Sequence, residues 1–283
     1  MSAPGKIVRL PEAVVAKIAA GEVIERPAAV VKELIENALD AGAGRIDVAL
    51  EEGGRRLIEV ADDGEGMTPE DARLSVERHA TSKIRAAADL LAIETYGFRG
   101  EALAAMAAVS RLTLVTRRAD ALAGTRVEVE GGRVVSVGPA GAPAGTTVTV
   151  RDLFFNVPAR RQFLRSAAAE TAQATDVVAR FGLARPEVAF TLTVDGRLTL
   201  AGRREATLAE RLGALLGPEA PPLVPVSRAE GALAVRGYIS PPGVSRLGAG
   251  SLYLFVNGRP VRDRGLLHAV LQGSRHAHEA GRY

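Results

Sequence analysis

Between Pro27 and Gly42 the apolar residues recur at helical spacing, so the pattern predicts a helix with one apolar and one polar side. The apolar side comprises Val31, Leu34, Ile35 and Ala38. The polar side comprises Glu33, Glu36, Asn37 and Asp40, with no Arg or Lys among them. Because Glu33 and Asn37 are four residues apart, their side chains lie one helical turn over each other. Such an acidic face is either simply solvated or a surface that binds a ligand.

Strand-like alternation follows this helix. Two alternating segments flank Gly53-Gly54, and the second ends in the sequence Asp62-Asp63-Gly64-Glu65-Gly66, which predicts a hairpin with an acidic, glycine-rich end. Thr68 and Pro69 suit the start of a helix that runs to about His79. Further helices are predicted at 6–26, 101–109, 167–181, 207–216 and 265–272. Further strands are predicted at 112–116, 125–137 (a hairpin before a loop at 138–145), 146–150, 190–194 and 197–200. A Pro-rich segment occupies 217–225, and we place a domain boundary near residue 205.

Composition and charge exclude several classes of function. The chain has no Cys, which excludes disulfides and thiolate metal sites. No apolar run approaches the ~18 residues of a membrane span, and the first ten residues lack the apolar core of a signal peptide. A cytoplasmic location without membrane contact is therefore expected. Net charge is −5 over residues 1–100 and +8 over residues 101–283, so the second part suits a polyanion partner, although Arg-rich usage also accompanies a GC-rich genome.

Three glycine-containing segments have residues suited to a nucleotide. Asp62 at a strand end, followed by Gly64 and Gly66, offers an acceptor for an exocyclic amine beside backbone that a flat ligand can approach. An ordinary Asp-Gly turn has the same sequence. The segment 97–100 precedes a helix whose free N–H groups favour a phosphate, or it is a flexible turn. The segment 145–147 lines the same pocket or forms a β-turn. The P-loop sequence is absent, which excludes that class of nucleotide site.

Taken in order, these segments resemble the ATPase superfamily of type II topoisomerases, heat-shock chaperones, sensor histidine kinases and MutL proteins. Six blocks narrow the resemblance to the N-terminal region of the MutL family of DNA mismatch repair proteins, and together they extend over essentially the whole chain. The blocks are Ala19–Pro27, Lys32–Gly42, His79–Lys83, Gly97–Leu103, Asp152–Asn156 with Pro158–Arg160, and Val256–Arg259. The implied fold class is α+β. A two-layer α/β sandwich ATPase domain at 1–205, with a mixed, mostly antiparallel sheet covered by helices, precedes a smaller, truncated α/β domain like domain 2 of ribosomal protein S5 at 206–283.

The resemblance also implies an ATPase site with ATP and Mg²⁺ as cofactors. By that resemblance Glu33 is the general base that activates the attacking water, and Asn37 is the magnesium ligand. The residues implied at the adenine end are Asp62, Gly66 and Thr147. The residues implied as a lid over the phosphates are Lys83 and the backbone of Phe98, Arg99 and Gly100.

The function implied by the resemblance is DNA mismatch repair. In this family ATP binding orders the lid and the N-terminal arm, and two copies then form a homodimeric clamp around DNA that links a mismatch-recognition protein to a downstream nuclease or helicase. Contact with DNA would be through phosphates, without sequence preference, at the nucleoid in the cytoplasm. The candidate contacts are Arg160, Arg161, Arg165, Arg259, Arg262 and Arg264, each of which is equally well explained as a solvated surface arginine.

One departure from the family pattern bears on turnover. The second domain of the family carries a lysine that reaches the γ-phosphate, within an Asn-Val-His-Pro-x-Lys block that does not occur before Tyr283, and the chain has no Lys after Lys83. ATP turnover by this chain alone is therefore not implied, and the last strands of the second domain are expected to be missing. Two other classes of function remain: a chaperone or topoisomerase subunit of the same superfamily, and a non-catalytic DNA-binding module.

Overall fold

The computed structural model describes residues 11–84, 95–97, 100–205, 207–216, 223–241 and 252–273. Its helices are α1 (Glu12–Val23), α2 (Pro27–Asp40), α3 (Pro69–Leu74), α4 (Ala102–Ala108), α5 (Pro158–Phe163), α6 (Ala167–Ala184), α7 (Leu208–Leu216) and α8 (Arg264–Gly273). Its strands are β1 (Arg45–Glu51), β2 (Leu57–Asp62), β3 (Arg111–Arg117), β4 (Gly124–Glu130), β5 (Arg133–Ala140), β6 (Gly145–Arg151), β7 (Ala189–Val194), β8 (Arg197–Gly202), β9 (Val224–Glu230), β10 (Leu233–Ile239), β11 (Leu254–Val256) and β12 (Arg259–Val261).

The first eight strands form one mixed sheet. Their order across the described part of the chain is β5-β4-β3-β6-β2-β1-β7-β8. Neighbours run antiparallel except β1 and β7, which run parallel and are joined through a long connection that includes α6. The predicted fold class, a mostly antiparallel sheet covered by helices, is confirmed.

The core lies between one face of this sheet and the helices. Along β1 the buried residues alternate as Ile46, Val48 and Leu50, because successive side chains point to opposite faces of a strand. The apolar side of α2 packs on that face and buries Val31 and Ile35 completely. Since the apolar side of α2 is fixed against the sheet, its polar side faces away from the core. A functional site can therefore form between this polar side and the nearby strand ends.

Three predicted boundaries differ from the observed ones. Helix α3 ends at Leu74 rather than near His79. Directly after its end, the hydroxyl of Ser75 donates to the carbonyl of Ala72 and competes with the backbone hydrogen bonds of the helix. Strand β5 continues to Ala140 through the predicted loop, because it pairs with β4 as an edge strand and an edge tolerates Pro139. Helix α1 spans Glu12–Val23, and the first residues of the predicted 6–26 helix lie outside the described part of the chain.

The remainder of the described chain forms two hairpins and two helices. Strands β9 and β10 pair antiparallel, as do β11 and β12, and α8 follows directly. The short strands β11 and β12 enclose the turn Asn257-Gly258, in which both residues have positive φ. None of the helices in the described ranges has the length and apolar character that crossing a bilayer requires.

Candidate functional site

The polar side of α2 presents Glu33 and Asn37 on neighbouring turns, both half-buried. The helix begins with Pro27 at its first position, where the missing N–H costs no hydrogen bond. Beyond its end Gly42 has φ 71°, a left-handed conformation that glycine adopts without strain. The carboxylate of Glu33 is 26% exposed, so it can contact water while its neighbours are held by packing.

Lys32, which lies beside the polar side of α2, reaches its carboxylates. Its ammonium nitrogen lies 3.1 Å from Oε1 of Glu33 and 2.9 Å from Oε2 of Glu36, four residues on. Burial raises the pKa of Glu36 above its usual value, and the bond from Lys32 opposes that shift only partly. Lys32 therefore offsets part of the acidic charge and holds the carboxylate of Glu33 in one direction.

Lys83 joins the same face from a distant segment. Its Nζ donates to Oδ1 of Asn37 at 2.9 Å and to Oδ2 of Asp40 at 2.5 Å. The ion pair is largely removed from water, with the side chains of Lys83 and Asp40 exposed by only 18% and 6%. A cation, an amide and a carboxylate thus form one connected group at the C-terminal end of α2.

Asp40 also fixes the segment that precedes Gly100. Its Oδ1 accepts from the backbone N–H of Tyr96 at 2.8 Å, and its Oδ2 accepts from that of Gly97 at 3.2 Å. A Cβ added at Gly97 would lie 3.3 Å from Nζ of Lys83, a tight contact that the ammonium group would have to relieve by moving a few tenths of an ångström. Asp40 was not singled out as a site residue from the sequence, although its spacing of three from Asn37 already placed it on the same face.

The predicted lid is described only in part. Phe98 and Arg99 lie outside the described residues, whereas Gly100 is described and has φ 64°. A Cβ at Gly100 would lie 2.6 Å from the carbonyl oxygen of Ala80, so the glycine permits a close backbone approach. The described residues on both sides of this gap, 95–97 and Gly100, therefore lie beside residues 80–83 and next to α2.

Asp62 lies at the end of β2, beside the same end of α2. Its Oδ1 accepts from the N–H of Gly64 at 2.8 Å, and the N–H of Glu65 donates to the carbonyl of Ala41 at 3.0 Å, which ties the loop to α2. Burial raises the pKa of Asp62 to about 6, and the N–H groups of Gly64 and Thr146 reduce that shift. Asp62 is thus a half-buried acceptor at the end of β2.

Gly66 permits the close turn that follows Asp62. It has φ 68°, and a Cβ there would lie only 2.2 Å from the carbonyl oxygen of Arg117. That distance is far below any normal contact, so both the conformation and the space require glycine. A Cβ at Gly64 would likewise lie 2.8 Å from the carbonyl oxygen of Ala41, so both glycines of the sequence Asp62-x-Gly64-x-Gly66 are needed for backbone packing, independently of any ligand.

The strand register places the two adjacent threonines on opposite faces of the sheet. Asp62 pairs with Thr146, whereas Thr147 pairs with Ala61 and therefore points to the opposite face of the sheet. The hydroxyl of Thr146 lies 2.9 Å from that of Thr116, which is buried and also accepts from the N–H of Met67 at 2.9 Å. Thr146 is thus the threonine next to Asp62, and no local sequence signal distinguishes the two adjacent threonines.

Three of the six arginines predicted as DNA contacts form hydrogen bonds or ion pairs with other segments of the chain. Arg160 donates to the carbonyls of Gly21 at 2.9 Å and Ile24 at 3.2 Å, beyond the reach of any local sequence signal. Arg262 forms an ion pair with Asp176 of α6. Arg259 is half-buried and donates to backbone carbonyls of the 95–97 segment. The others, Arg161, Arg165 and Arg264, are exposed.

A magnesium site of purely protein ligands is not found within the described residues, since they contain no group of three His, Asp or Glu side chains suited to a metal. The oxygen ligands that Mg²⁺ prefers are nevertheless present in the amide of Asn37 and in any phosphate bound beside it. The donor set therefore fits an ion shared with a phosphate ligand and does not fit a resident metal.

Comparison with known proteins identifies the class. Residues 25–132 match the family described as histidine kinase-, DNA gyrase B- and HSP90-like ATPases, and residues 215–283 match the C-terminal domain of DNA mismatch repair proteins. The fold and the arrangement of α2 and the Asp62 loop thus define an ATPase-superfamily domain of the gyrase B and HSP90 type.

The family within that class follows from individual relatives. The MutL ATPase domain of Aquifex aeolicus, solved in complex with ADP, is 33% identical, with a TM-score of 0.71 over 89% of this chain and 88% of that one. The DNA mismatch repair protein MutL of Anaeromyxobacter sp. strain K is 55% identical over 93% of this chain, and that of Geobacter sulfurreducens is 51% identical over 99%. The chain belongs to the MutL family, and it spans 44% and 46% of the length of these two relatives.

Proposed function

We propose that this chain binds Mg·ATP between α2, the Asp62 loop and the Lys83 segment, and that it hydrolyses ATP as part of DNA mismatch repair. Support comes from the family membership and from the ADP bound to the Aquifex aeolicus ATPase domain. The roles below are assigned from the chemistry of each side chain.

At the adenine end, Asp62 accepts from the exocyclic amine of the base. A carboxylate that burial keeps from water binds a neutral N–H donor well, because little hydration is lost on binding. Gly66 provides the close backbone beside it. We assign the threonine position to Thr146 in place of Thr147, because Thr146 is the residue opposite Asp62 in the register.

At the phosphate end, Glu33 orients and deprotonates the attacking water, and Lys32 holds its carboxylate in place. Lys83 supplies positive charge to the phosphates, since its ammonium group already lies against Asn37. Mg²⁺ held by Asn37 and the phosphates would offset the negative charge of the triphosphate. The lid backbone at Phe98, Arg99 and Gly100 supplies N–H donors to the phosphates, ahead of helix α4.

One observation carries this proposal more than any other. Lys83 lies 46 residues from Asn37 in the sequence, yet the two side chains are hydrogen-bonded on the turn that follows Glu33. The residues to which we assign the general base, the metal ligand and the phosphate-binding cation thus meet at one face of α2. A helix whose acidic face is only solvated does not require a lysine from a distant segment to contact that face.

The wider activity concerns DNA and a second copy of the chain. We propose that residues 1–205 form the nucleotide-binding domain and that 206–283 form a DNA-facing one, which acts at the nucleoid in the cytoplasm. ATP binding would order the lid and the N-terminal arm and drive homodimerisation into a clamp around DNA, linking a mismatch-recognition protein to a nuclease or helicase. DNA phosphates would be bound by exposed arginines, of which Arg161, Arg165 and Arg264 remain candidates.

The test compares Glu33→Ala and Asn37→Ala with the wild-type chain. Nucleotide binding is measured by calorimetry with Mg·ATP, and hydrolysis by phosphate release, with and without DNA. Glu33→Ala should keep nucleotide binding and lose turnover by about 10²–10⁴-fold, since it lacks only the base. Asn37→Ala should lose Mg·ATP binding. Glu70→Ala is the matched control, because Glu70 is an exposed acid on the short helix α3.

The outcomes separate the alternatives. If neither variant differs from wild type, the catalytic assignment is wrong and a non-catalytic DNA-binding module is the better description. If the wild-type chain binds Mg·ATP without turnover while Asn37→Ala does not bind, the nucleotide site is retained and hydrolysis requires residues beyond this chain.

A further inference from the structure

The turn between β11 and β12 contacts the segment next to the nucleotide site. Nη2 of Arg259 donates to the carbonyl of Thr95 at 2.6 Å, and its Nη1 approaches the carbonyl of Tyr96 at 3.4 Å. The guanidinium carbon also lies 5.2 Å from the centre of the Tyr96 ring, a cation–π contact. One arginine thus holds two successive residues of this segment through both backbone and side chain.

Tyr96 is held from its other sides as well. Its hydroxyl donates to the carbonyl of Gly258 at 3.3 Å, while its ring meets Phe181 edge-on at 5.9 Å. The ring is therefore fixed jointly by the end of α6 and by the turn that carries Arg259. Movement of that turn must move Tyr96 or break these contacts.

The contacts continue from Tyr96 into the site. The N–H groups of Tyr96 and Gly97 donate to the two carboxylate oxygens of Asp40, and Asp40 holds Lys83, which bonds Asn37. Each of these contacts is a direct hydrogen bond or ion pair. Because Asp40 is almost fully buried, it has no water to replace the backbone donors if the segment shifts.

We propose that Arg259 is a positioning residue, through which the β11–β12 turn sets the positions of Gly97 and Lys83 for the nucleotide phosphates. The inference rests on the proposed nucleotide site. It replaces the expected role of Arg259 as a DNA contact, because its guanidinium is turned inward onto carbonyl oxygens. The adenine end is untouched by this route, since Asp62 makes none of these contacts.

The experiment measures the affinity of the full chain for ATP, ADP and adenosine, by calorimetry or ligand competition, in Arg259→Ala and in wild type. ATP and ADP affinity should fall by about 10-fold, the loss expected when a charge-assisted hydrogen bond no longer fixes the segment. Adenosine affinity should be unchanged. Arg228→Ala is the matched control, because it removes the same charge from β9, where Arg228 is exposed and pairs with Glu230.

A second variant and a second readout keep the result decisive. Tyr96→Phe keeps the ring and removes the bond to Gly258, so it should weaken ATP binding in the same direction by a smaller factor, even if Arg259→Ala folds poorly. DNA binding without nucleotide should keep its wild-type salt dependence in Arg259→Ala.

Three outcomes would overturn the inference. Unchanged ATP and ADP affinity in both variants would show that the turn does not act on the site. Equal losses for ATP, ADP and adenosine would indicate a general loss of structure. A salt dependence of DNA binding reduced by about one phosphate contact, with nucleotide affinity intact, would restore Arg259 as a DNA contact. Failure of wild type to bind nucleotide would instead refute the proposed site.

Discussion

Asp40→Ala is the substitution that tests the connected group at the end of α2 most severely. The Asp40 carboxylate is 6% exposed and accepts from the Lys83 ammonium group and from the backbone N–H groups of Tyr96 and Gly97. Alanine removes all three acceptor contacts and leaves three donors that face little water. The chain should therefore lose stability even without nucleotide.

The size of the loss follows from these contacts. Removing one partner of a buried ion pair costs about 3–5 kcal/mol, and each unsatisfied buried donor costs about 1–3 kcal/mol. Lys83 keeps the oxygen of Asn37 as an acceptor, and its side chain is 18% exposed, so part of its charge is hydrated. We therefore expect the free energy of unfolding to fall by about 3 kcal/mol, the lower end of the range for a broken buried pair.

The measurement is equilibrium urea unfolding of the whole chain near neutral pH, with hydrogen exchange at the Tyr96 and Gly97 amides. Those amides should exchange faster in the variant. Asp63→Ala is the matched control, because Asp63 also accepts from two backbone N–H groups, at 2.7 and 2.8 Å, but is exposed and holds no buried cation. It should cost only about 1 kcal/mol. Equal losses in both variants, or a loss below about 1 kcal/mol for Asp40→Ala, would refute the reasoning.

The remaining predictions concern pH, backbone space and DNA. Because the pKa of Asp62 rises from 3.8 to about 6 on folding, the free energy of unfolding should fall as the pH is raised from about 3.8 to about 6. Adenine nucleotide affinity should rise over the same window with proton release; calorimetry in two buffers that shows neither would contradict this. Gly66→Ala should destabilise more in urea than Gly42→Ala, which shares a positive φ but has open space for a Cβ. Arg161→Ala should lower the salt slope of DNA binding by about one in titrations, and an unchanged slope would exclude this contact.

Local features of the sequence were sufficient for much of the fold and for part of the site. The α2 helix, the β1–β2 hairpin and the position of Asp62 at a strand end follow from spacing and turn residues that act within about ten residues. Thr68 likewise caps α3 as its sequence suggests, by accepting from the N–H of Asp71. The family resemblance supplied the roles at these positions, which local chemistry alone left open.

The parts that could not be predicted depend on contacts between distant segments. The pairing of β6 with β2 decides that Thr146, and not Thr147, lies on the same face as Asp62, and a shift of one residue would reverse this. In the sequence, Arg160 and Arg259 cannot be distinguished from surface arginines. Only the fold shows that their guanidinium groups donate to backbone carbonyls of distant segments. The helical spacing predicts that Asp40 lies on the polar side of α2, but it does not predict that Lys83, Tyr96 and Gly97 are its partners.

The bond from Arg160 to the carbonyls of Gly21 and Ile24 also has a consequence for biosynthesis. The donor follows its acceptors by 139 and 136 residues, so a ribosome making about 5–20 residues per second finishes α1 about 7–28 s before it adds Arg160. Until then the last carbonyls of that helix have only water to accept from. The N-terminal end of the chain is therefore synthesised first and secured late, which leaves it exposed to chaperones and proteases on the nascent polypeptide.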